Sequence, residues 1–461
     1  MIPIKYLLDE AKKYNSVYAH NNELFNIYEG DLLTYLLRDM QKSLSPEAFQ
    51  GIQTRISPIN ILKRMVDKLS KIYANPPIRE LNIDTEKNKS LFMMYEDELN
   101  PNVVFNEANT FFNLFKNTLV EPYLEDGEPK ARVIPSDRFF VYSNDPVCPN
   151  EPTHVLKFMG KVVTTAGEEK QIVYAYSATE FLITDLEGNI QTQMMTDYGN
   201  PDGVNPYGKL PFIYINRSSH KLIPTIDTDT LAMTKLIPTL LSDLNYAVLF
   251  QSFSIIYGID ITFENLSMNP NALWSFKSDP TTDKNPQIGS IKPQVDIDQV
   301  LRFIGSQLTL WFQTKNIKAG AIDKLTVDSA SSGIAKAIDE MDTAEDRQIQ
   351  TQIFQKAEED FWELIINYMH PIWVKEPEFM TKQLFELGTE VSVQFPKQKA
   401  IYDETTVMTN SITKWEKGFI PKKKALSEMY PDATSEELDE WLAGSTEENT
   451  VTIEEKEPNV Q

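Results

Sequence analysis

One helical pattern of unusual length constrains the fold more than any other part of the sequence. Between Gly333 and Met369 apolar residues recur at mostly four-residue steps, which places them along one side of a helix: Ile334, Ile338, Met341, Ala344, Ile349, Ile353, Ala357, Phe361, Ile365 and Met369. About 35 helical residues extend over roughly 50 Å, several times the length of a mean globular helix. A loop rich in small residues, beginning at Ala319, precedes the pattern. A long helix with such a loop at one end is more typical of large assemblies than of small globular enzymes.

The balance of acidic and basic residues limits the class of partner that the protein is expected to bind. The chain has 461 residues, of which 41% are hydrophobic, and its 67 acidic and 44 basic residues give a net charge of −23. This length predicts about three domains, and this composition predicts a globular fold. A free-standing, sequence-specific DNA-binding protein is not expected, because binding to phosphates requires positive charge. Acidity suits a protein past which DNA slides without sticking, and it equally suits ordinary solubility.

The sequence indicates neither a membrane span nor a disulfide framework. The longest uncharged stretch, Leu244 to Ile259, has 16 residues, whereas a membrane span needs about 20 predominantly apolar ones. Cys148 is the only cysteine, so that an intrachain disulfide is impossible and a reducing compartment is expected. Asp9 and Glu10 precede any apolar run at the N-terminus, unlike a secretion signal. We therefore expect a soluble protein in which the uncharged stretch forms a buried helix.

The first half of the sequence changes from helical patterns to strand patterns. Ser57 and Pro58 form a helix-start signal before an amphipathic stretch that stops at Pro76. A phenylalanine-rich helix is predicted from Val103 to Leu119. Short segments separated by turn residues then predict a mainly β unit, with strands at Val133–Tyr142, His154–Val163, Gln171–Tyr176, Phe181–Thr184 and Leu210–Ile215.

The second half is predominantly helical, with one interruption. A helix is predicted from Asp227 to Tyr257, with a kink or restart at Pro238. Beyond Leu244 its nearly uncharged faces require cover by the same chain or by neighbouring subunits. Residues 258–294 contain four prolines among short apolar runs and indicate a compact insertion of strands and turns. A second helix follows from Val295 to Phe312, with an apolar side formed by Val300, Phe303, Ile304, Leu308 and Trp311.

The last quarter contains short elements. A strand is predicted at Glu390–Phe395, and a helix at Asp403–Lys417 is stopped by a glycine. Thr434 and Glu437 form a capping box ahead of a further small helix. After Gly444 the acidic tail has too little apolar content to fold alone.

The sequence lacks the common catalytic signatures. Neither glycine-rich nucleotide-binding fingerprint is present, and no zinc-binding cysteine pair or H-E-x-x-H motif occurs. Four scattered histidines give no local signal for an activated nucleophile. Acidic pairs such as Glu358–Glu359 are typical of a solvated helix face. We expect no enzyme, no metal and no cofactor, although carboxylates converging from distant positions still allow a hydrolase.

Four segments, taken in order, resemble the portal proteins of tailed phages, which form the head-to-tail connector rings. Ser57–Pro77 (SPINILKRMVDKLSKIYANPP) is similar to an early portal helix, and Asn205–Asn216 (NPYGKLPFIYIN) to the entry into the central helices. Ser332–Ala335 (SGIA) resembles the opening of the long portal helix. Lys414–Leu442 (KWEKGFIPKKKALSEMYPDATSEELDEWL) resembles the usual ending of these proteins.

The resemblance implies an α+β fold with long central helices, a mainly β wing, a small α/β clip insertion and a helical C-terminal region. The implied parts follow in chain order: residues 1–119, N-terminal helical part of the wing; 120–225, mainly β wing; 226–257, first stem helix; 258–294, clip; 295–316, second stem helix; 317–332, tunnel loop; 333–370, long helix; 371–444, C-terminal wing and crown; 445–461, disordered acidic tail. The chain is short after Val393 for a full-sized crown.

Three sets of residues acquire roles from this mapping. They are the DNA-facing tunnel-loop residues Lys318, Gly320, Lys324 and Ser331, the clip and partner-docking residues Trp274, Phe276 and Lys277, and the stem-packing residues Leu244, Val248, Phe303 and Trp311. The alternatives are ordinary surface charge for the two loop lysines and a local hairpin core for the clip aromatics. Trp362 and Trp373 are expected in the core and not at a binding surface.

The resemblance also implies location and partners. A portal forms a homo-oligomeric ring, typically of twelve subunits, at one vertex of the capsid in the virion, and it assembles in the host cytoplasm. Double-stranded DNA passes non-specifically through its channel, and the partners are the major capsid protein, the terminase large subunit and head-completion or adaptor proteins, without a membrane. Competing interpretations are another phage head structural protein, such as a minor capsid component, and a carboxylate-dependent hydrolase.

Overall fold

The computed structural model combines α-helices with antiparallel sheets, which confirms the α+β class. It describes residues 2–145, 151–163, 167, 169–218, 220–252, 255–259, 287–291, 296–315, 318–319, 341–342, 344–396, 411–429 and 442. The chain divides into two compact units, Met1–Phe395 and Pro396–Gln461. In the second unit, residues 411–416 and Lys422–Met429 are helical. The capping box predicted at Thr434 and the acidic tail lie outside the described residues.

The described helices of the first unit are α1 (Ile4–Lys12), α2 (Asn15–Tyr28), α3 (Leu32–Ser43), α4 (Pro46–Ile52), α5 (Ile61–Leu69), α6 (Glu86–Leu99), α7 (Pro101–Phe115), α8 (Thr192–Asp197), α9 (Thr228–Ser252), α10 (Ile297–Thr314), α11 (Ala344–Glu363) and α12 (His370–Trp373). The described strands are β1 (Ile78–Leu81), β2 (Asn117–Glu125), β3 (Glu128–Ile134), β4 (Phe139–Tyr142), β5 (His154–Val163), β6 (Glu169–Ser177), β7 (Phe181–Asp185), β8 (Ile213–Asn216), β9 (Ile255–Ile259), β10 (Gln287–Ile291), β11 (Lys318–Ala319), β12 (Met341–Asp342) and β13 (Val391–Gln394).

Two antiparallel sheets occupy the region of the predicted β unit. One has the strand order β3-β2-β8 and the other β4-β5-β6-β7. The strand predicted at His154–Val163 is present with those bounds. The single strand predicted at Val133–Tyr142 is instead two strands, because a turn in which Arg138 N donates to Pro135 O separates them. The helix predicted to reach Leu119 ends at Phe115, where Lys116 takes a φ of 71° and β2 begins.

The long helix forms the centre of the largest hydrophobic core. Its helical residues are continuous from Ala344 to Trp373, since a π-helical segment at Leu364–Met369 joins α11 to α12. The predicted apolar side is buried in its second half, at Ala357, Phe361, Ile365 and Met369, whereas Ile349 is exposed. Trp362 and Trp373 are buried in this core, as predicted.

The beginning of the long helix differs from the prediction. A helix was expected from Gly333, but Met341 and Asp342 form β12, which pairs with Ala319 and Lys318 of β11. Strand pairing uses main-chain groups that helical hydrogen bonds would otherwise occupy. The described helix therefore begins at Ala344.

Two further boundaries differ for local reasons. Asn60, not Ser57, caps α5, because its side-chain oxygen accepts a hydrogen bond of 3.0 Å from Lys63 N. The helix predicted to reach Tyr257 ends at Ser252, since Ile255–Ile259 pairs with β10 as a strand. α9 nevertheless passes through Pro238, as the sequence allowed.

Candidate functional site

Helices α9 and α10 form the pair of predicted stem helices, and both contribute to one hydrophobic core. Asp296 caps α10 by accepting a hydrogen bond of 3.1 Å from Gln299 N. The buried faces of the pair join residues from α2, α3, α5 and α7, and they comprise Ile237 and Leu241 from α9 and Ile304, Leu308, Trp311 and Phe312 from α10. The pair is thus anchored in its own chain along one side.

An ionic cluster fixes the start of α9 against the end of α10. Lys315 Nζ lies 2.6 Å from Asp227 and 2.9 Å from Asp229, and Lys116 Nζ lies 3.0 Å from Asp227. Burial alone would raise the pKa of Asp227, but hydrogen bonds with Asp229 and Lys315 and the charges of Lys315 and Lys116 lower it below its usual value. This carboxylate is therefore charged at neutral pH and holds the two helix ends together.

A pair of antiparallel strands lies at the base of each of two segments, the predicted clip and the predicted tunnel loop. β9 pairs antiparallel with β10, from Ile255–Ile291 to Ile259–Gln287. β11 pairs with β12 through Lys318–Asp342 and Ala319–Met341. The described residues on the two sides of segment 260–286 therefore lie next to each other, and the same holds for segment 320–340. The predicted residues Trp274, Phe276, Lys277, Gly320, Lys324 and Ser331 lie outside the described residues, and Lys318 belongs to β11.

Two of the four predicted stem-packing residues are buried, and the other two are exposed. Leu244 and Trp311 are buried, with 8% and 3% of their surface exposed, so they pack within the chain. Phe303 is 51% exposed and Val248 is 37% exposed. Of these four residues, Phe303 and Val248 keep exposed side-chain surface in the single chain. The predicted apolar side of α10 is thus wrong at Phe303, because tertiary packing turns Ile304, Leu308 and Phe312 inward instead.

The outward face of α10 carries a strip of uncharged residues, with the exposed Arg302 beside it, that local periodicity did not predict. The strip consists of Gln299, Phe303, Ser306, Leu310 and Gln313, all exposed and spaced by three or four residues. Leu310 is 58% exposed and follows Phe303 by seven residues, so both side chains lie on the same face. The spacing of Phe303 and Leu310 by seven residues was the available sequence signal. We call these five residues the α10 strip.

Buried polar contacts attach the long helix to the N-terminal part of the chain. Arg79, on β1, donates to Glu358 on α11 and, at 2.8 Å, to Asn102. Tyr73 also donates to Glu358, at 2.7 Å. Glu358 is fully buried, so its predicted place on a solvated helix face is wrong. The partners that compensate its charge come from a distant part of the sequence and carry no local signal.

A second buried polar group follows the π-helical segment. His370 is fully buried, its Nδ1 lies 2.7 Å from the Tyr95 hydroxyl, and its Nε2 lies 2.9 Å from the Gln383 carbonyl. Burial lowers the pKa of His370 to about 4, although the hydrogen bond to Gln383 acts in the opposite direction. Nε2 therefore carries the proton and donates to Gln383, while Nδ1 accepts from Tyr95.

The described part of the chain has neither a metal-binding cluster nor a membrane-spanning helix. No cluster of three or more His, Cys, Asp or Glu side chains there could hold a metal ion. No helix among the same residues combines the length and the apolar character needed to cross a bilayer.

The structural similarities between this chain and known proteins include two remote ones. No protein-family model matches the chain, and no curated protein matches it in sequence. A chain from the neck of an empty GTA particle aligns at 13% identity and a TM-score of 0.36, covering 82% of this chain and 92% of that one. A chain from the virion of a native gene transfer agent particle aligns at 12% identity and a TM-score of 0.38, covering 86% and 98%. At these values a shared fold does not follow from the alignments.

Proposed function

We propose that this protein is a portal subunit, which forms a ring at one capsid vertex of a tailed phage. The ring is the channel through which double-stranded DNA enters during packaging and leaves during ejection. It docks the terminase large subunit first and head-completion or adaptor proteins afterwards, while its outer side contacts the major capsid protein. The chain acts as a structural conduit, not as an enzyme.

The observation that carries the proposal is the α10 strip. Phe303 and Leu310 leave more than half of their surface exposed on a helix whose other side is anchored in the core of the same chain. Two large apolar side chains that lie seven residues apart on one exposed helix face are typical of a contact surface. Copies arranged side by side around an axis would cover this face in every subunit.

The order of the elements supports the same proposal. A helical N-terminal part and two antiparallel sheets precede α9. A segment that begins with β9 and ends with β10 separates α9 from α10. A second segment, closed by β11 and β12, separates α10 from the long helix. This is the order expected of a wing, a stem, a clip, a stem and a tunnel loop. On this proposal residues 258–294 supply the clip, and residues 317–332 supply the loop that faces DNA.

Imaging and mass measurement of the purified protein test the proposal. Twelve copies of the 52.8 kDa chain give a particle of about 630 kDa. Mass photometry in virion-like salt should show a large oligomer, and negative-stain electron microscopy should show a ring with an axial hole wide enough for a DNA duplex. A folded monomer or dimer at all accessible concentrations overturns the proposal. A large symmetric particle without an axial hole favours a different head structural protein.

A further inference from the structure

The cleft beside β8 has the form of a site for an extended peptide. Its volume is about 840 Å³, and it is lined by every residue of β8 from Ile213 to Asn216. Successive side chains of a strand point to opposite faces, so a cleft that contacts all four runs along the edge of the strand. Ile353, Lys356 and Asp360 of α11 line it as well.

The main-chain register shows which groups this edge offers. β8 is the last strand in the order β3-β2-β8 and pairs with β2. Arg217 N donates to Lys116 O at 2.9 Å, one residue beyond the β2–β8 ladder. Since antiparallel pairs alternate, the main-chain groups of Ile215 and Ile213 face β2, whereas those of Tyr214 and Asn216 face the cleft.

Two other described sheet edges carry charges or added bridges. β3, at the opposite edge, carries Glu128, Lys130 and Arg132. β7 is covered in part by bridges from Thr184 to Ile190 and from Glu180 to Val204. Charges and added bridges are common means of preventing strand addition. The four residues of β8 are uncharged, as are those of the edge strand β4, and α11 packs beside β8.

We propose that the β8 edge binds the C-terminal tail of a second copy of this chain by strand addition. The occupant is Thr450–Ile453, which consists of four β-branched residues and matches β8 in length. Glu447, Glu448, Glu454 and Glu455 flank this run. Main-chain hydrogen bonds from Tyr214 and Asn216 supply the pairing.

Charge at the rim of the cleft fits the acidic flanks of that segment. Lys209, Arg217 and Lys356 line the cleft, together with the two acidic residues Glu151 and Asp360. Lys209 lies 3.3 Å from Glu363 and Lys356 lies 2.7 Å from Asp360, and all four of these side chains are more than one-third exposed. Exposed ion pairs contribute little, so the two lysines can exchange partners at small cost. The inference rests on the proposed function only in requiring that copies associate.

Disulfide trapping between full-length copies tests the proposal. One variant carries Asp360→Cys and the other Asn449→Cys, both in a Cys148→Ser background that removes the native thiol. The mixed sample should give a covalent dimer on a non-reducing gel, in a yield several-fold above that of a control with Glu86→Cys on α6. A yield no greater than the control, in a sample that mass photometry shows to be oligomeric, overturns the inference and leaves the ring intact.

A peptide titration tests the same contact without a ring. The probe is a fluorescent peptide of residues 445–461, added to the chain that ends at Gly444 and followed by anisotropy. The matched peptide with Val451→Pro loses a main-chain donor and should bind about tenfold more weakly. Lys356→Glu in the protein should also weaken binding, whereas Lys87→Glu, on α6 and outside the cleft, should not. Equal binding of both peptides, or no binding, contradicts strand addition whether or not rings form.

Discussion

The hydroxyl of Tyr73 donates a hydrogen bond of 2.7 Å to the carboxylate of Glu358, 285 positions further along the chain. The same carboxylate also accepts a hydrogen bond from Arg79, whose side chain is 6% exposed. The contact ties the long helix to the segment between α5 and α6. Burial, followed by the neighbouring charge of Glu358, raises the pKa of Tyr73 well above its usual value, so the phenol remains a donor.

Arg79→Ala should destabilise the protein strongly. The substitution leaves Glu358 buried without its cationic partner, which typically costs about 3–5 kcal/mol. Urea unfolding followed by circular dichroism measures the change in the free energy of unfolding. Arg38→Ala is the matched control, because the Arg38 side chain is 45% exposed and its ion pairs with Glu23 and Asp39 should contribute about 1 kcal/mol or less. Equal losses in the free energy of unfolding for the two variants would mean that the buried ion pair contributes no more than the exposed ones.

Local patterns predicted elements where the deciding interactions lie close in sequence. His154–Val163 has these bounds in both prediction and structure, because alternation and flanking turns define it. β1 was not predicted, since it is four residues long and pairs with β13, more than 300 positions away. The position of Glu358 was misjudged for a similar reason: its partner Arg79 lies 279 positions earlier. An acidic residue on a helix gives no sign of a cation that only the fold supplies.

At the candidate site, too, local patterns predicted the elements but not the contacts that depend on tertiary packing. Periodicity predicted the helix that contains Phe303 and Trp311, but which side of that helix faces inward depends on where α2, α5 and α9 pack. The sequence therefore placed both residues on one buried side, whereas the structure buries only Trp311. The strand closures at β9–β10 and β11–β12 were also beyond local patterns, because each joins segments separated by more than 20 residues.

His370 should make the stability of the protein depend on pH in the mildly acidic range. Its folded-state pKa of about 4 lies below the ordinary value of 6.5, so the unfolded chain binds a proton that the folded chain does not. The stabilising contribution is complete above pH 6.5 and is lost as the pH falls from 6.5 towards 4, by about 3 kcal/mol in total. Chemical unfolding at a series of pH values should therefore show a less steep decline for His370→Gln. Parallel pH profiles for the two proteins would exclude this role.

Shortening the segment between β11 and β12 should separate assembly from DNA handling. Removing residues 320–331 spares Ala319, which pairs with Met341, and leaves the strand closure in place. On the proposed function the variant should assemble into rings of normal appearance but package or retain DNA poorly. Electron microscopy of the rings and the DNA content of particles provide the two measurements. Loss of ring assembly would instead assign this segment a structural role.

Charge placed on the α10 strip should prevent association of subunits without unfolding them. Phe303 and Leu310 are already exposed in the single chain, so aspartate at both positions removes no packing from the core. In an assembly, each of these side chains contributes about 1.5–3 kcal/mol if it is fully covered, and a buried unpaired carboxylate opposes association instead. The Phe303→Asp, Leu310→Asp variant should therefore keep the circular dichroism spectrum of the parent while mass photometry shows small species. Met93→Asp is the control, since Met93 is 61% exposed on α6 and lies outside the strip. Large particles from the double variant would show that the strip is not an interface, and dissociation by both substitutions would show that surface charge alone is responsible.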